Sequence, residues 1–469
     1  MKILRNYLWN VGYQLFVIIV PLVTMPYVAR VLGPVGVGAN SYTNSIAQYF
    51  ILFGSVGVAL YGSRQIAFVR DRKEEMTQTF WELTVLRSIT ILLALVCYFS
   101  LLLFIHKFHF YLVIQSLLII AAAFDISWFF MGVENFRMTV MRSILARLLS
   151  LILIFTLVRS SADTWIYILI IASTTLGGNI TFFPYLRRYI GRPNFSQFNI
   201  LRHLRPSIAL FIPQIAIQVY VVLNKTMLGS FVNVSSAGYY DSSDRIIRVV
   251  LAVVTGLGTV LLPHIANQFA HGETEKLKHT FTISMSFVSA VAIPLAFGVA
   301  AISTKFAVLF LGQDFRVVGN LLQIESIAGL FIAWDNAIGQ QYLLPTNQTS
   351  KYTAAVITGA IVNILINLPL IFLFQAQGAM WATVISEFSV TAMMLWQIRK
   401  QFEVRTLFDD CPKYFFASII MFIVVRILDQ KLSFNWLSII MEVIIGVILY
   451  GLSILFLRPK LLKLAVRSL

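Results

Sequence analysis

The residues with the clearest chemical potential in this chain are four charged side chains, Asp241, Asp244, Arg245 and Arg248. Their spacing of i, i+3, i+4 and i+7 places them on one face of a helix, inside an otherwise apolar stretch. One interpretation is a binding site for a phosphorylated ligand, because guanidinium groups present forked donors that match phosphate oxygens. The other is structural, because each Asp–Arg pair stands at i, i+4 in the favourable acid-first order. The two interpretations are compatible, since a paired guanidinium keeps further donors.

Other polar side chains also lie inside apolar stretches. A charge at the centre of a membrane costs about 2.5–3.5 kcal/mol on insertion scales, so such residues are expected to face protein or water. Arg147 and Lys225 are basic residues of this kind. The predicted polar lining of a cavity consists of Asn44, Gln48, Asp125, Gln214, Gln218, Asp241 and Asp244.

The composition indicates that these residues belong to a membrane protein. Of the 469 residues, 58% are hydrophobic, only 12% are charged, and 38 are Phe. Soluble domains carry about 25% charged residues, so the composition excludes a soluble enzyme and a disordered chain. The two cysteines, Cys97 and Cys411, lie far apart, which argues against a disulfide framework and against a metal site.

Windows of about 20 mostly apolar residues predict an all-α integral membrane protein with fourteen transmembrane helices. The predicted spans are approximately 11–29, 41–61, 82–105, 111–133, 143–158, 164–183, 207–229, 238–262, 281–302, 317–340, 353–374, 378–397, 414–428 and 436–457.

Basic residues are distributed unevenly among the loops between these spans. Of the 36 Lys and Arg residues, 24 lie at the termini and in one set of alternate loops, and six lie in the opposite loops. The positive-inside rule therefore places both termini in the cytoplasm and requires an even number of spans. The net charge of +16 is thus explained by membrane topology, and nucleic-acid binding is not expected.

Two stretches of the chain read alike and suggest an internal repeat. Pro21 to Tyr42 and Pro213 to Tyr240 each contain a Pro in an apolar helix, then Leu-Gly, a short turn and a polar helix start. Both begin spans that point the same way through the membrane, as in a parallel repeat. We expect two six-helix bundles, 1–205 and 206–400, and a two-helix extension, 401–469. Spans 1, 2, 7 and 8 carry the polar stripes and are predicted to wall a cavity between the halves.

No motif for enzymatic chemistry occurs in the sequence. It contains no phosphate-binding loop, no nucleophile elbow and no metal-ligand spacing, so we expect no cofactor and no metal. His106 and His109 are close together but are expected to lie in a solvated turn. A membrane-embedded glycosyltransferase is disfavoured, because the longest loop, 184–206, lacks the acids such enzymes use. A transporter is therefore the predicted class.

Several segments strongly resemble Wzx-type polysaccharide flippases of the multidrug/oligosaccharidyl-lipid/polysaccharide exporter superfamily. They are PLVTMPYVARVLGPVGVGANSYTNSIAQYF, YGSRQIAFVRDR, FDISWFFMGVENF, LNKTMLG, AGYYDSSDRIIRVV, LGTVLLPHIAN and IGQQYLLPTNQ. The resemblance implies a MATE-like fold of two six-helix bundles plus two helices. It implies an undecaprenyl-pyrophosphate-linked oligosaccharide as substrate, moved to the outer leaflet of the bacterial cytoplasmic membrane for capsule, O-antigen or exopolysaccharide assembly. A polysaccharide polymerase and chain-length proteins are candidate partners.

A cationic cavity would lower the barrier for the pyrophosphate head group during alternating access of the two bundles, while the isoprenoid tail stays in lipid. The first candidates for head-group contact are Arg30, Lys225, Arg245 and Arg248. Arg64 and Arg147 are second candidates, because anchoring at the cytoplasmic end explains them equally well. In LNKTMLG, Asn224 stands where the family pattern usually has an acid, so Lys225 lacks an adjacent carboxylate.

Two other functions remain open at this stage. A multidrug exporter of the same fold would prefer an acidic cavity for its cationic substrates, whereas the charged face found here holds as many bases as acids. A non-transporting scaffold of a polysaccharide assembly complex would use the polar stripes to bind partner helices. The two-bundle fold is complete in one chain, so a monomer is expected.

Overall fold

The computed structural model describes residues 2–194, 196 and 198–462, with side chains from residue 19 onward except at 212–214, 216, 217, 220 and 257–264. The regular secondary structure of this part of the chain consists of helices only, with no strand. The helices are α1 Lys2–Ser55, α2 Val58–Val69, α3 Lys73–Leu102, α4 His109–Ala123, α5 Ser127–Gly132, α6 Phe136–Leu157, α7 Thr164–Ile180, α8 Phe183–Leu186, α9 Leu201–Phe231, α10 Val234–Ala270, α11 Thr274–Leu311, α12 Arg316–Ile338, α13 Thr349–Ile398, α14 Val404–Leu407, α15 Cys411–Lys431 and α16 Trp436–Leu457.

Two of the long helices contain a sharp junction. In α1 the junction is Gly33, whose φ of 67° suits glycine and which precedes Pro34, a position where helical backbone is disfavoured. In α13 it is Gln375, with φ 52° and ψ −127°. Gly378 follows one turn later, and a Cβ there would collide with the Leu370 carbonyl group. Each junction lets one continuous helix supply two transmembrane segments.

The number of long apolar helices agrees with the predicted membrane fold. Within the described residues, ten helical segments are long and apolar enough to cross a membrane. Two of these segments contain the junctions at Gly33 and Gln375, and α9 and α10 stand at the positions predicted for spans seven and eight. The all-α, multi-pass membrane fold is therefore confirmed.

The chain forms two compact units, Met1–Gly229 (unit 1) and Ser230–Leu469 (unit 2). The division falls in the last turn of α9, between Gly229 and Ser230, whereas the sequence predicted a boundary near the start of this helix, between 205 and 206. Helix α9 groups with unit 1 because its side chains contact α1 and the α1–α2 turn. Ser207 donates to the Val56 carbonyl oxygen at 2.6 Å, and the Ser45 and Thr226 hydroxyl oxygens lie 2.8 Å apart. The division into 1–205, 206–400 and 401–469 stays a prediction.

An aromatic core holds one end of unit 1 together. Phe80, Trp128, Phe129 and Phe130 are almost fully buried, and the Phe80 and Trp128 rings stack with centroids 5.6 Å apart. The helices approach closely here, since a Cβ on Gly62 would lie 2.6 Å from the Trp128 ring. The aromatic run of the FDISWFF segment therefore packs the core.

In unit 2, the last two long helices pack against α11. The Lys305 ammonium is 3% exposed and lies 2.6 Å from Glu442 Oε1 of α16 and 3.3 Å from Asp429 Oδ1 of α15. The Tyr450 hydroxyl donates to the Ala290 carbonyl oxygen at 2.6 Å. The two C-terminal helices are thus joined to unit 2 by buried polar contacts as well as by apolar packing.

Candidate functional site

Helix α10 presents the four charged residues of the predicted face as two ion pairs. Arg245 Nε lies 2.9 Å from Asp241 Oδ2, and Arg248 Nε lies 2.9 Å from Asp244 Oδ1. The carboxylates are mostly buried, whereas 46% of the Arg245 side chain and 55% of the Arg248 side chain is exposed. The structural pairing and an accessible cationic surface therefore occur together.

The buried side of α10 is held by polar contacts within unit 2. The Ser243 hydroxyl donates to the Glu325 carboxylate of α12, and both side chains are buried. One turn earlier, the Tyr240 hydroxyl and the Thr383 hydroxyl lie 2.9 Å apart, which connects α10 to α13. These contacts on the buried side orient α10 so that its arginines point away from the core.

In unit 1, Arg30 and Arg64 are both exposed side chains. Arg30 lies three residues before the junction at Gly33, near the end of the first half of α1. Arg64 lies on α2, with its guanidinium carbon 5.5 Å from the centre of the Phe68 ring. An anchoring role at a helix end still accounts for Arg64 as well as a substrate contact does.

The second half of α1 and the end of α9 bring three predicted residues into one region of unit 1. Asn44 and Gln48 are half-buried on α1, on either side of Ser45, which contacts Thr226 of α9. Lys225, also half-buried, precedes Thr226. A close approach of the two helices occurs next to them, because a Cβ on Gly229 would collide with the Tyr42 ring.

Two residues of the predicted cavity lining, Gln214 and Gln218, lie near the middle of α9. Gln218 is exposed. Gln214 lies on α9, but its side chain is outside the described residues. The polar stripe predicted for this helix is therefore seen only at Gln218 and Lys225.

Asp125 has a structural partner in unit 1. The buried Arg87 guanidinium donates to the Asp125 backbone carbonyl at 2.9 Å and lies 3.6 Å from its carboxylate. The same carboxylate accepts a hydrogen bond, at 3.0 Å, from the backbone amide of Ser127, the first residue of α5.

Arg147 is half-buried on α6, and no acidic side chain of the described chain lies within ion-pair distance of it.

A polar network at the start of α9 was not predicted from the sequence. Glu82 is fully buried, and its carboxylate lies 2.8 Å from Arg202 and 2.7 Å from His203 Nε2. The Asn199 amide also donates to it at 3.0 Å, and the Tyr61 hydroxyl lies 3.0 Å from His203 Nδ1. The basic loop before α9 contains no acidic residue, and Glu82 of α3 supplies the carboxylate of the network. The signal for this network in the sequence was Glu82, a lone acidic residue within the apolar stretch of α3.

Unit 2 contains a second buried acidic feature. The carboxyl groups of Asp335 and Glu387 contact each other, and Thr391 donates to Asp335 Oδ1 at 2.6 Å. Across the part of the chain that is described, no cluster of three or more His, Cys, Asp or Glu side chains could hold a metal ion.

Comparisons with known proteins agree with this architecture. The sequence profile of a family described as "Polysaccharide biosynthesis protein" matches residues 3–269. An Escherichia coli K12 protein named "Putative O-antigen transporter" is 25% identical over 403 residues, which cover 84% of this chain and 96% of that protein. A solved structure of the lipid II flippase MurJ in an inward closed conformation is 18% identical, covers 96% of this chain and 99% of that one, and has a TM-score of 0.77. An inward-facing multidrug resistance MATE transporter is 12% identical, covers 83% and 99%, and has a TM-score of 0.62.

Proposed function

Because the chain belongs to the polysaccharide biosynthesis protein family, we propose that it is a flippase for lipid-linked oligosaccharides. Its substrate is an undecaprenyl-pyrophosphate-linked repeat unit, moved across the bacterial cytoplasmic membrane for capsule, O-antigen or exopolysaccharide assembly. The observation that carries the proposal is the extent of the match to a protein named as an O-antigen transporter, which covers 84% of this chain and 96% of that protein. The fold shared with a lipid II flippase supports it.

Several further properties belong to the same proposal. The distribution of Lys and Arg supports an orientation with both termini in the cytoplasm. Transport proceeds by alternating access without a chemical change in the substrate, so the protein is not an enzyme. It acts as a monomer, and a polysaccharide polymerase and chain-length proteins are its candidate partners.

The residues proposed to contact the head group are four exposed or half-buried cations. They are Arg30 and Lys225 in unit 1 and Arg245 and Arg248 in unit 2. The head group carries two or more negative charges, which cannot enter hydrocarbon without compensation. Arginines already paired with a carboxylate suit transport, because several modest contacts bind the pyrophosphate and still release it. Arg64 and Arg147 remain second candidates.

The direct test is transbilayer movement of a labelled undecaprenyl-pyrophosphate oligosaccharide in proteoliposomes. We expect the wild type to move it. The Arg30→Ala/Lys225→Ala variant should lower the rate at least tenfold, which corresponds to about 1.4 kcal/mol of lost transition-state stabilisation. The matched control is Lys107→Ala/Arg159→Ala, which also removes two exposed basic residues of unit 1 and should leave the rate unchanged.

Two outcomes would contradict different parts of the proposal. If folded wild-type protein with a native-like glycan shows no movement, the flippase function is wrong. If the wild type moves the substrate and the Arg30→Ala/Lys225→Ala variant does so equally well, the function stands and the head-group assignment is wrong.

A multidrug exporter is the second candidate, because the fold is also that of a MATE transporter. The charged face of α10 argues against this function, since its two carboxylates are mostly buried and already paired with arginines, whereas a cationic drug would prefer an acidic site. Energy-dependent efflux of a cationic dye from cells that produce the protein would favour the exporter.

A further inference from the structure

A large cavity in unit 1 lies between α6 and α7, and the proposed function does not use it. Its volume is about 1270 Å³. The α6 wall is apolar and includes Met141, Leu145 and Leu149, whereas the α7 wall is made of small residues, including Thr174, Gly177 and Gly178. On each helix these residues recur at intervals of about four, so each wall is a single helical face.

One end of this α6–α7 groove is cationic. Arg137 and Arg142 line it, and Arg142 is held over the Phe182 ring with its guanidinium carbon 4.4 Å from the ring centre. Arg142 also donates to the side chain of Asn179. Glu134 lies on the same rim, but Arg70 forms an ion pair with it at 2.6 Å. The acid is therefore compensated from outside the groove.

The rest of the groove is suited to hydrocarbon. Leu145 and Leu149 are 61% and 51% exposed, so this apolar wall is open to its surroundings. The Thr174 and Thr181 hydroxyls of the opposite wall donate to backbone carbonyls of their own turns. Because these donors are satisfied within the helix, the wall does not require a polar ligand.

The length of the groove matches one leaflet of a bilayer. From Arg142 to Leu153, the last apolar lining residue of α6, a helix rises about 16 Å at 1.5 Å per residue. Half of the hydrocarbon core of a bilayer is about 15 Å. A molecule with an anionic head at the arginines and a tail one leaflet long fits these dimensions.

We propose that the α6–α7 groove binds one anionic glycerophospholipid, with its phosphate at Arg137 and Arg142 and an acyl chain along Gly177 and Gly178. The positive charge of the arginine end favours a head group of net negative charge over a zwitterionic one, and the groove length matches an acyl chain of one leaflet. In the orientation proposed above, this lipid comes from the cytoplasmic leaflet.

The first test blocks the acyl-chain part of the groove. A Cβ on Gly177 would meet open space, so Gly177→Leu fills the groove without a steric conflict at that atom and improves helix propensity. Gly451→Leu on α16 is the matched control, because its Cβ also meets open space. Dioleoyl phosphatidylglycerol is titrated onto the detergent-solubilised full chain, and bound lipid is counted by intact-complex mass spectrometry. We expect Gly177→Leu to weaken binding at least tenfold and Gly451→Leu to leave it unchanged.

The second test addresses the head group. Arg137→Gln should weaken phosphatidylglycerol binding, whereas Arg159→Gln, at the opposite end of α6, should not. Wild-type protein should bind dioleoyl phosphatidylglycerol at least tenfold more tightly than dioleoyl phosphatidylcholine. Melting temperatures of all variants show whether the protein remains folded.

Three results would overturn the proposal. The first is equal binding of phosphatidylglycerol and phosphatidylcholine by the wild type. The second is unchanged binding in the folded Gly177→Leu variant. The third is displacement of phosphatidylglycerol by an equimolar amount of undecaprenyl phosphate, which would identify the isoprenoid carrier as the occupant. None of these results depends on whether the protein transports an oligosaccharide.

Discussion

Charged side chains inside the apolar helices are compensated by partners at three different sequence separations. On α10 the partner is one turn away, as for Arg248 and Asp244. In unit 1 the partner of Arg87 is Asp125, in the turn between α4 and α5. The partner of Glu82 is Arg202, which lies far from it in the sequence. Removing one member of such a group leaves the other charge uncompensated. The free energy of unfolding then falls by more than the intact pair contributes to it.

Glu82 provides a prediction at this scale. We expect Glu82→Gln to lower the free energy of unfolding by about 2–3 kcal/mol, because the hydrogen bonds from Arg202, His203 and the Asn199 amide lose their charged acceptor. Glu75→Gln, on the same helix, is the control. Its ion pair with Arg72 is largely exposed, so the loss should stay below about 1 kcal/mol. Unfolding of the purified protein in detergent measures both, and equal losses would show that the buried network does not stabilise unit 1.

Among the elements, helix length and helix packing are decided by different features. Short-range geometry at Gly33 and Gln375 bends α1 and α13 without ending them. Close contacts decide which helices belong together, as for α9, which joins unit 1 through Ser207 and Thr226. The C-terminal helices are joined to α11 by a buried lysine rather than by apolar surface alone.

That lysine allows a test of how α15 and α16 are held. Lys305→Met should destabilise unit 2 by about 3–5 kcal/mol, because Glu442 would remain as a buried carboxylate without its cation, and Asp429 would keep only Arg426, at 3.5 Å. Adding Glu442→Gln and Asp429→Asn to the same variant should restore much of the stability, since the buried carboxylates are then neutral. Arg426, which loses Asp429, is 34% exposed and keeps its hydrogen bond to the Ala301 carbonyl oxygen. Lys276→Met is the control, because Lys276 is 70% exposed. Thermal unfolding reports all three, and a triple variant less stable than Lys305→Met would contradict this account.

At the scale of the whole molecule, the strongest feature is the uneven distribution of positive charge along a chain of apolar helices. Within the described chain, the long apolar helices establish a multi-pass membrane protein, and the loops between them alternate in basic content. The orientation proposed above, with both termini in the cytoplasm, is based on that alternation and the positive-inside rule. It determines which side each loop contacts and from which leaflet a lipid enters the α6–α7 groove.

Cysteine labelling tests this orientation. Cys97 is exposed and Cys411 is buried, so a Cys97→Ser background removes the reactive native thiol. In that background we expect Arg159→Cys to react with a membrane-impermeant maleimide on intact cells. Arg188→Cys, in the basic loop after α8, should react only after the membrane is permeabilised. The reverse pattern would place both termini outside the cytoplasm.

The sequence by itself determined the properties that depend on local composition. Apolar segment length predicted the all-α membrane fold, and the quoted motifs indicated the polysaccharide biosynthesis family. Both are confirmed. The i, i+4 spacing on α10 was sufficient to indicate its two ion pairs, because helical geometry brings such residues together in any environment. The helical conformation of residues 34–40 was not predicted, since Gly-rich sequence is typical of a turn. It stays helical where Gly36 allows a close approach to Thr164, with a Cβ position 2.7 Å from the hydroxyl oxygen.

Only the tertiary structure decided which distant residues meet. The contacts of Glu82 with His203, of Lys305 with Glu442, and of α6 with α7 along the groove join residues from separate helices. Such contacts depend on how helices pack, and packing depends on side-chain shapes at many positions at once. No periodicity within one helix contains that information. For this reason the apolar stretches of the sequence predicted the membrane segments, whereas the partners of the buried charges and the grouping of α9 with unit 1 emerged only from the fold.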